Sequence, residues 1–188
     1  MTSRARATFP CAVCGRAITR RPADAHRPKH LTCPRCRYMI YDYPRSACGT
    51  LVVREDHVLL LTRAQAPRKG FMDVPGGFLE ANESLEQAAR RELREETGLT
   101  MGRVEPLGTY WDTYFIRGFG RFPVQNFYFV GHWRRGTPVA ADDAADAEWV
   151  PLASLMRRRR RFAWDHMTPL FRDLVRWTRR ATGVRTRR

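Results

Sequence analysis

One stretch of the chain, from Gly77 to Leu99, limits the possible folds more than any other part of the sequence. It opens in a glycine turn and then reads as a helix, because Ser84 and Gln87 have the spacing of a capping box. Gly98 is the residue type that ends many helices in a left-handed conformation. Between these caps lies a core-facing stripe of Leu85, Ala88 and Ala89. The sequence therefore predicts a capped helix with one buried face.

Carboxylates then replace apolar residues along that stripe. Glu92 and Glu96 follow Leu85 and Ala89 by seven residues, so they continue the same helix face. Glu95 projects to the same side. Carboxylates that converge beside a buried face repel and desolvate one another unless a cation lies among them. Because Mg²⁺ prefers oxygen ligands and usually binds together with substrate phosphates, the pattern predicts a magnesium site that acts on a phosphate compound.

The same stretch resembles the Nudix box, Gly-x5-Glu-x7-Arg-Glu-U-x-Glu-Glu-x-Gly-U with U apolar. It matches every defined position, at Gly77, Glu83, Arg91, Glu92, Leu93, Glu95, Glu96, Gly98 and Leu99. The resemblance implies an α+β fold, with a mixed sheet in an α/β/α sandwich over residues 45–182. It also implies an enzyme that hydrolyses a phosphoanhydride bond in a nucleoside diphosphate linked to another moiety, such as an ADP-ribose-, NADH-, FAD- or CoA-like substrate.

The resemblance also implies roles for individual residues. Mg²⁺ or Mn²⁺ is expected on the carboxylates of Glu92, Glu95 and Glu96 and on the carbonyl of Gly77. Either Glu92 or Glu95 is expected to deprotonate the attacking water, and the sequence leaves that choice open. Arg91 is expected to pair with Glu83 and so to brace the loop that carries the ligands. The chemistry expected from this set is in-line displacement, with a metal ion neutralising the developing charge.

Four of the five cysteines form two Cys-x-x-Cys pairs, Cys11 with Cys14 and Cys33 with Cys36, separated by eighteen residues. This spacing is typical of a zinc ribbon, so we expect residues 1–44 to form a zinc ribbon and connector with a structural Zn²⁺. The order of ribbon and box is similar to the NADH pyrophosphatase branch of the family. That branch carries a Ser-Gln-Pro-Trp-type stretch after its box, and residues 109–127 lack it. The expectation is therefore generic Nudix chemistry.

Outside the box the sequence predicts several strands and a terminal helix. The strands are expected at 48–53, 57–61, 71–74, 104–115, 127–133 and 148–150, and the helix is expected to be capped at Thr168. Residues 116–125 are expected to form a long loop, and five consecutive arginines at 157–161 a solvated segment.

Further candidates for the site are acids and aromatic residues. Asp143 and Asp146 are either extra catalytic acids or solvated loop residues, and Arg63 is either a phosphate contact or a surface residue. A stacking platform is one reading of the aromatic residues after the box, and core packing is the other. These residues are Trp111, Tyr114, Phe119 and Phe122.

The net formal charge of +15 is distributed unevenly along the chain. Residues 1–46 carry +8 and residues 152–188 carry +10, including a basic tail at 183–188, whereas residues 47–151 carry −3. Basic flanks attract polyanions, which supports an alternative function as an RNA- or DNA-binding or nucleotide-sensing regulatory module. Since Lys29 and Lys69 are the only lysines, an arginine-rich composition also accounts for the charge.

Composition limits the class of protein. A hydrophobic fraction of 43% is ordinary for a globular chain. There is no apolar run of about 18 residues to span a membrane, and the N-terminus lacks the apolar core of a secretory signal. Cysteine pairs of this kind suit a reducing compartment, so we expect a cytoplasmic protein without a membrane partner. Its expected partner is a nucleotide substrate, with a homodimer possible by analogy with the family.

Overall fold

The structure is a computed structural model that describes residues 7–20, 30–41, 43–116 and 120–181. These residues form two compact units, which divide between Tyr43 and Pro44. The basic tail at 183–188 lies outside the described residues. Among the described residues, no helix is long and apolar enough to span a membrane.

The smaller unit consists of two antiparallel hairpins. Strand β1 (Ala7–Pro10) pairs with β2 (Ala17–Arg20), and β3 (His30–Thr32) pairs with β4 (Met39–Tyr41). Each hairpin turn contains one Cys-x-x-Cys pair. Where the structure describes side chains in this unit, the hydrophobic core is small, with Cys11, Ile18 and Cys33 as its buried residues.

The larger unit contains a seven-stranded sheet. Its strands are β5 (Arg45–Arg54), β6 (His57–Arg63), β7 (Met72–Asp73), β8 (Gly76–Phe78), β9 (Glu105–Ile116), β10 (Gly120–His132) and β11 (Ala144–Pro151). The main order is β11-β6-β5-β10-β9, while β7 pairs with β6 and β8 pairs with β5. Strands β5 and β10 run parallel and the other pairs are antiparallel, so the predicted mixed sheet is confirmed.

A helix packs against each face of this sheet. Alternate residues of β5 point to opposite faces, as the pleat of a strand requires. Leu51 and Val53 pack with helix α2 (Met167–Ala181). Val52 packs on the other face with Leu93 of helix α1 (Leu85–Thr97). The α/β/α sandwich expected from the family resemblance is therefore confirmed.

Both predicted ends of α1 are confirmed. The Ser84 side chain accepts a hydrogen bond from the backbone N–H of Gln87, and the Gln87 side chain accepts one from the backbone N–H of Ser84. Gly98 adopts φ 69°, and its N–H donates to the carbonyl of Arg94. The caps fix where α1 begins and ends, and thereby which side of the helix faces the sheet.

The predicted long loop at 116–125 is wrong for residues 120–125, which belong to β10. The proline and the aromatic residues suggested a loop, but β10 pairs antiparallel with β9 through this stretch. Pro123 lies one residue before the pairing of β10 with β5 begins at Val124. The strand is bonded on one side only at that point, which is the setting where a strand tolerates proline.

The C-terminal region also differs in detail from the prediction. Helix α2 begins at Met167, so Thr168 lies inside the helix instead of capping it. The five arginines belong to a 3₁₀ helix at Leu152–Arg161, and Arg158 pairs with Glu148 of β11 at 2.9 Å. The other arginines of the run are exposed, as expected for a solvated segment.

Candidate active site

The segment expected to be a glycine turn contains Gly76 and Gly77, which belong to strand β8 in the structure; this segment, which we continue to call the glycine turn, packs tightly on its surroundings. In β8, Gly76 and Gly77 lie opposite Gly49 and Cys48 of β5. A Cβ atom on Gly76 would lie 2.5 Å from the carbonyl oxygen of Cys48, and one on Gly77 would lie 2.3 Å from Oε1 of Glu92. The backbone of β5 leaves no room for a side chain at Gly76, whereas one at Gly77 would have to displace the Glu92 carboxylate.

The three box carboxylates differ in their surroundings. Glu96 is 6% exposed, and its Oε2 accepts a hydrogen bond from the N–H of Gly76 at 2.8 Å. Burial and the neighbouring carboxyl of Asp143 raise the pKa of Glu96 to about 10. Burial also raises the pKa of Glu92. The Glu95 side chain is 40% exposed, so the exposure of the three carboxylates ranges from the buried Glu96 to the exposed Glu95.

Arg91 connects this set to the preceding loop. Its guanidinium lies 2.8 Å from Oε1 of Glu83, 2.8 Å from Oε1 of Glu92 and 3.0 Å from Oε2 of Glu95. It also donates to the backbone carbonyl of Phe78 at 3.2 Å. The hydrogen bonds from Arg91 lower the pKa of Glu83. One arginine therefore holds two box carboxylates and the loop in a fixed arrangement.

A pocket of about 160 Å³ opens beside the glycine turn. One part of its lining is the turn itself together with Asp143, and another is aromatic. Tyr114 and Trp164 form a parallel stack with ring centroids 3.9 Å apart. The full lining is Ala47, Cys48, Arg63, Pro67, Asp73, Val74, Gly76, Gly77, Phe78, Tyr114, Asn126, Tyr128, Asp143 and Trp164.

Arg63 lines this pocket, and its side chain is largely buried. Its Nη1 lies 3.0 Å from Oδ2 of Asp73, and its Nε donates to the carbonyl of Pro67 at 3.0 Å. Trp164 donates from Nε1 to the same carboxylate at 2.8 Å. The reading of Arg63 as an ordinary surface residue is therefore wrong, because this network directs it into the pocket.

The structure separates the two acids that follow the box. Asp143 lines the pocket, lies close enough to Glu96 to raise its pKa, and is 3.9 Å from the Arg63 guanidinium. Asp146 is exposed and accepts a hydrogen bond from the N–H of Ala147. Their spacing in the sequence gave no reason to prefer one of them. In the structure, the pairing of β11 with β6 has a bulge between Ala144 and Asp146, and this bulge separates the two acids.

The aromatic candidates also separate. Tyr114 lines the pocket, and Phe122 packs near it with ring centroids 6.3 Å apart. Trp111 is 61% exposed on β9 and does not line the pocket. Phe119 lies outside the described residues.

Sequence reasoning missed several pocket residues, among them Asp73, Asn126 and Trp164. An acid inside the short apolar strand Phe71–Val74 was a usable signal for Asp73, because buried carboxylates need partners. Asn126 lies in a strand, where it donates to the carbonyl of Tyr110 at 3.2 Å, and Trp164 reaches the pocket from the segment before α2. Neither had a sequence pattern that singled it out.

In the smaller unit the four paired cysteines converge. Their sulfur atoms all lie within 4.8 Å of one another, with 3.7 Å between Cys11 and Cys36 and 3.6 Å between Cys14 and Cys33. Backbone hydrogen bonds, chiefly at Cys36, lower the pKa of Cys33 to about 6. The four-cysteine cluster can hold a metal ion. The fifth cysteine, Cys48, is buried in the other unit.

Known proteins resemble the larger unit. The NUDIX domain model matches residues 43–173. An ADP-ribose pyrophosphatase of Methanocaldococcus jannaschii is 33% identical over 144 residues, which cover 75% of this chain and 79% of that protein. The NAD-capped RNA hydrolase NudC of Pseudomonas aeruginosa is 39% identical over 150 residues, which cover 76% of this chain and 48% of NudC. The chain thus aligns with about half of the length of this NudC relative.

A solved structure gives a similar result. It is a bifunctional NMN adenylyltransferase/ADP-ribose pyrophosphatase from Francisella tularensis, complexed with AMP and a manganese ion. It superposes with a TM-score of 0.54 at 29% identity, covering 72% of this chain and 42% of that one. The family model spans more than half of the chain, all of it but residue 43 in the larger unit with the seven-stranded sheet. This chain belongs to the Nudix family and is a Nudix hydrolase.

Proposed function

We propose that this chain hydrolyses the phosphoanhydride bond of a nucleoside diphosphate linked to a second moiety, with a divalent cation as cofactor. The observation that carries the proposal is the pocket beside the glycine turn. Gly76 and Gly77 line one part of it and contact the carboxylates of Glu96 and Glu92, and the stack of Tyr114 on Trp164 forms a flat wall for a ring. The relatives named for ADP-ribose and NAD-capped RNA hydrolysis support this substrate class.

The donor atoms fit a hard divalent cation. Glu92, Glu95, Glu96 and the carbonyl of Gly77 would hold it, and all of these donors are oxygen atoms. The burial of Glu96 supports this assignment, because a buried carboxylate is stable as an anion only beside a positive charge. Bound there, Mg²⁺ or Mn²⁺ would neutralise the diphosphate and lower the pKa of a water molecule.

The protein's own residues would orient the reaction. Arg91 keeps Glu92 and Glu95 in place through its contacts with both and with Glu83. Either Glu92 or Glu95 would take the proton of the attacking water. Glu95 is the more exposed of the two, whereas Glu92 is packed against Gly77. Asp143 lies on the pocket side of Glu96 and would add a further negative group facing the cation.

In the smaller unit we propose a structural Zn²⁺ on Cys11, Cys14, Cys33 and Cys36. Four thiolate sulfurs match the closed tetrahedral set of a zinc ribbon, which leaves no open position for a substrate. The small core of this unit supports the assignment, since two of the three buried residues in its described part are cysteines. Zinc binding would then contribute much of its folding free energy.

The test is a hydrolysis assay with ADP-ribose, NADH, FAD, CoA and dinucleoside polyphosphates, with Mg²⁺ or Mn²⁺ added. We expect hydrolysis of at least one compound, and a loss of about 100-fold or more in kcat for Glu95→Gln. Asp143→Asn is expected to reduce kcat about tenfold, with Asp146→Asn as the matched control at wild-type activity. The proposal is wrong if no compound is cleaved, or if Glu95→Gln equals the wild type.

A further inference from the structure

Polar side chains in the aromatic part of the pocket are already hydrogen-bonded within the protein. Asp73 is the first of them, and it is only 9% exposed. One of its carboxylate oxygens accepts from the Arg63 guanidinium at 3.0 Å and from the Trp164 indole N–H at 2.8 Å. The other oxygen accepts from the backbone N–H of Val74 at 2.9 Å. Three donors within the protein therefore satisfy this carboxylate before any ligand binds.

Asn126 and Tyr114 are paired with each other. Asn126 is 2% exposed, and its Oδ1 accepts from the Tyr114 hydroxyl at 3.2 Å. Its Nδ2 donates to the backbone carbonyl of Tyr110 at 3.2 Å. The amide therefore has a partner within the protein for its oxygen and for its nitrogen, and the hydroxyl hydrogen of Tyr114 is used in the same contact.

Tyr128 is held by a buried chain of hydrogen bonds to residues outside the pocket lining. Its hydroxyl lies 2.6 Å from Nε2 of His166, and Nδ1 of His166 lies 2.7 Å from Oδ2 of Asp112. Since a carboxylate can only accept, Nδ1 carries the hydrogen, and Nε2 of the neutral ring accepts from the Tyr128 hydroxyl. Tyr128 and His166 are 6% and 4% exposed, so the hydroxyl hydrogen of Tyr128 is already used inside the protein.

The charged groups near the box carboxylates are less completely paired. Nη2 of Arg63 lies 3.9 Å from Oδ2 of Asp143, which is longer than a hydrogen bond. Asp143 also lies close to Glu96. These groups lie where the cation is proposed to bind. Charge that is available to a ligand is therefore concentrated near the diphosphate, and not around the base.

Strong rejection of a wrong base requires buried polar groups that lose their partners when that base binds. Within the part of the chain that the structure describes, no buried side-chain nitrogen or oxygen lacks a hydrogen-bond partner. We propose that the pocket holds a purine by apolar and aromatic contact without reading its hydrogen-bonding edge, so that adenine and hypoxanthine compounds are equivalent substrates. Because this specificity concerns the ring that the proposed hydrolysis places in the pocket, it rests on the proposed function. The diphosphate, and not the base edge, then defines the substrate class.

The test compares two substrates of nearly the same size that differ in the edge of the base. Hypoxanthine has a carbonyl acceptor where adenine has an amino donor, and an N–H donor where adenine has a ring acceptor. The adenine compound that the wild type cleaves best is assayed beside its hypoxanthine analogue. We expect kcat/KM values within about tenfold of each other, whereas a pocket that reads the edge would separate them by about 10⁴-fold. A preference of more than about tenfold for either base overturns the proposal.

Two phenylalanine variants show whether the base lies in this pocket. Phe78→Ala shortens a side chain of the lining that has no polar group, so it should raise KM about tenfold for both bases alike, with kcat within about threefold of wild type. Phe115→Ala is the matched control, because Phe115 is 55% exposed on β9 outside the lining, and its KM should be that of wild type. An unchanged KM in Phe78→Ala, or a rise for one base only, overturns the proposal.

Failure of this specificity and failure of the proposed function are distinguishable. Cleavage of the adenine compound with rejection of the hypoxanthine compound overturns the specificity alone. If no compound is cleaved, the proposed function is wrong, and isothermal titration calorimetry with AMP and IMP then tests the pocket directly. Dissociation constants within about tenfold of each other support a pocket that does not read the base edge, and a larger difference or no binding overturns it.

Discussion

At the scale of single residues, the site depends on positions where a side chain is absent as much as on those that carry charge. Gly77 has no room for a Cβ atom because the Glu92 carboxylate occupies that space. The absence of a side chain at Gly77 therefore lets the backbone of this segment approach the carboxylate closely.

Gly77→Ala should abolish most activity while leaving the fold largely intact. The added methyl group must displace the Glu92 carboxylate or the turn, and a displacement of about 1 Å in a catalytic group costs about 100-fold in rate. Steady-state kinetics with the best substrate would measure this loss in kcat. Gly102→Ala is the matched control, since the nearest atom to its Cβ would be 3.8 Å away on the Arg134 side chain. Activity within about twofold of wild type for Gly77→Ala would contradict the assignment.

The box residues could be predicted from the sequence because their chemistry is encoded locally, within one turn and one helix. For that reason the Arg91 guanidinium contacts the carboxylates of Glu83, Glu92 and Glu95. The pocket wall could not be predicted in this way. Asp73 and Trp164 are joined by a hydrogen bond across 91 positions of the chain, and only the folded sheet brings them together.

At the scale of elements, the box helix is defined by its ends. The capping box at Ser84 and the left-handed Gly98 set its start and end, and thereby which side chains face the sheet. A shift of one residue would rotate the carboxylates by about 100° around the helix axis, away from the pocket. The ends of α1 therefore contribute to the geometry of the site as well as to stability.

Gly98→Ala is expected to destabilise the larger unit by about 1 kcal/mol. No atom lies within 4 Å of the position a Cβ would take, so the cost arises from the left-handed backbone at φ 69° and not from a clash. Gly98→Asn should cost less, because asparagine tolerates this conformation better. Urea unfolding followed by tryptophan fluorescence reports on the larger unit alone, since all five tryptophans lie there. Equal midpoints for wild type and both variants would contradict this explanation.

Predictions of the elements were reliable where periodicity was strong and less so where composition suggested a loop. Helix α1 and the strands around it followed from alternation and caps. The stretch 120–125 resembled a loop because of its glycine and proline, yet pairing with β9 incorporates it into the sheet, and pairing with β5 begins at Val124. Tertiary pairing outweighs local preference in such a segment.

At the scale of the whole molecule, the two units differ in how they are stabilised. The larger one has extensive apolar layers on both faces of its sheet, whereas the described side chains of the smaller one include three buried core residues. Apolar burial is therefore sufficient for the first unit. The second would depend on the zinc ion proposed for its four cysteines, as small domains with little core usually depend on a metal.

Removing the metal should unfold the smaller unit without changing the larger one. Cys14→Ser, or treatment with a zinc chelator, is expected to abolish bound zinc and to expose the arginines of residues 7–41 to trypsin. The urea midpoint from tryptophan fluorescence should remain that of the wild type. Cys48→Ala serves as the matched control, because that thiol lies in the other unit and should leave the zinc content unchanged. An unaltered tryptic pattern after metal loss would show that the ribbon folds without it.

The parallel pairing of β5 with β10 has a consequence for how the chain acquires its structure. The paired residues, such as Arg45 with Val124, are about 80 positions apart, and β5 lies at the centre of the sheet. Loops of that length must close before the central contacts form, which slows folding compared with a chain of local hairpins. During synthesis β5 leaves the ribosome long before its parallel partner β10 has been made. One edge of this central apolar strand therefore stays unpaired until residues 124–132 have been synthesised, and we expect a chaperone that acts during translation to bind residues 45–54.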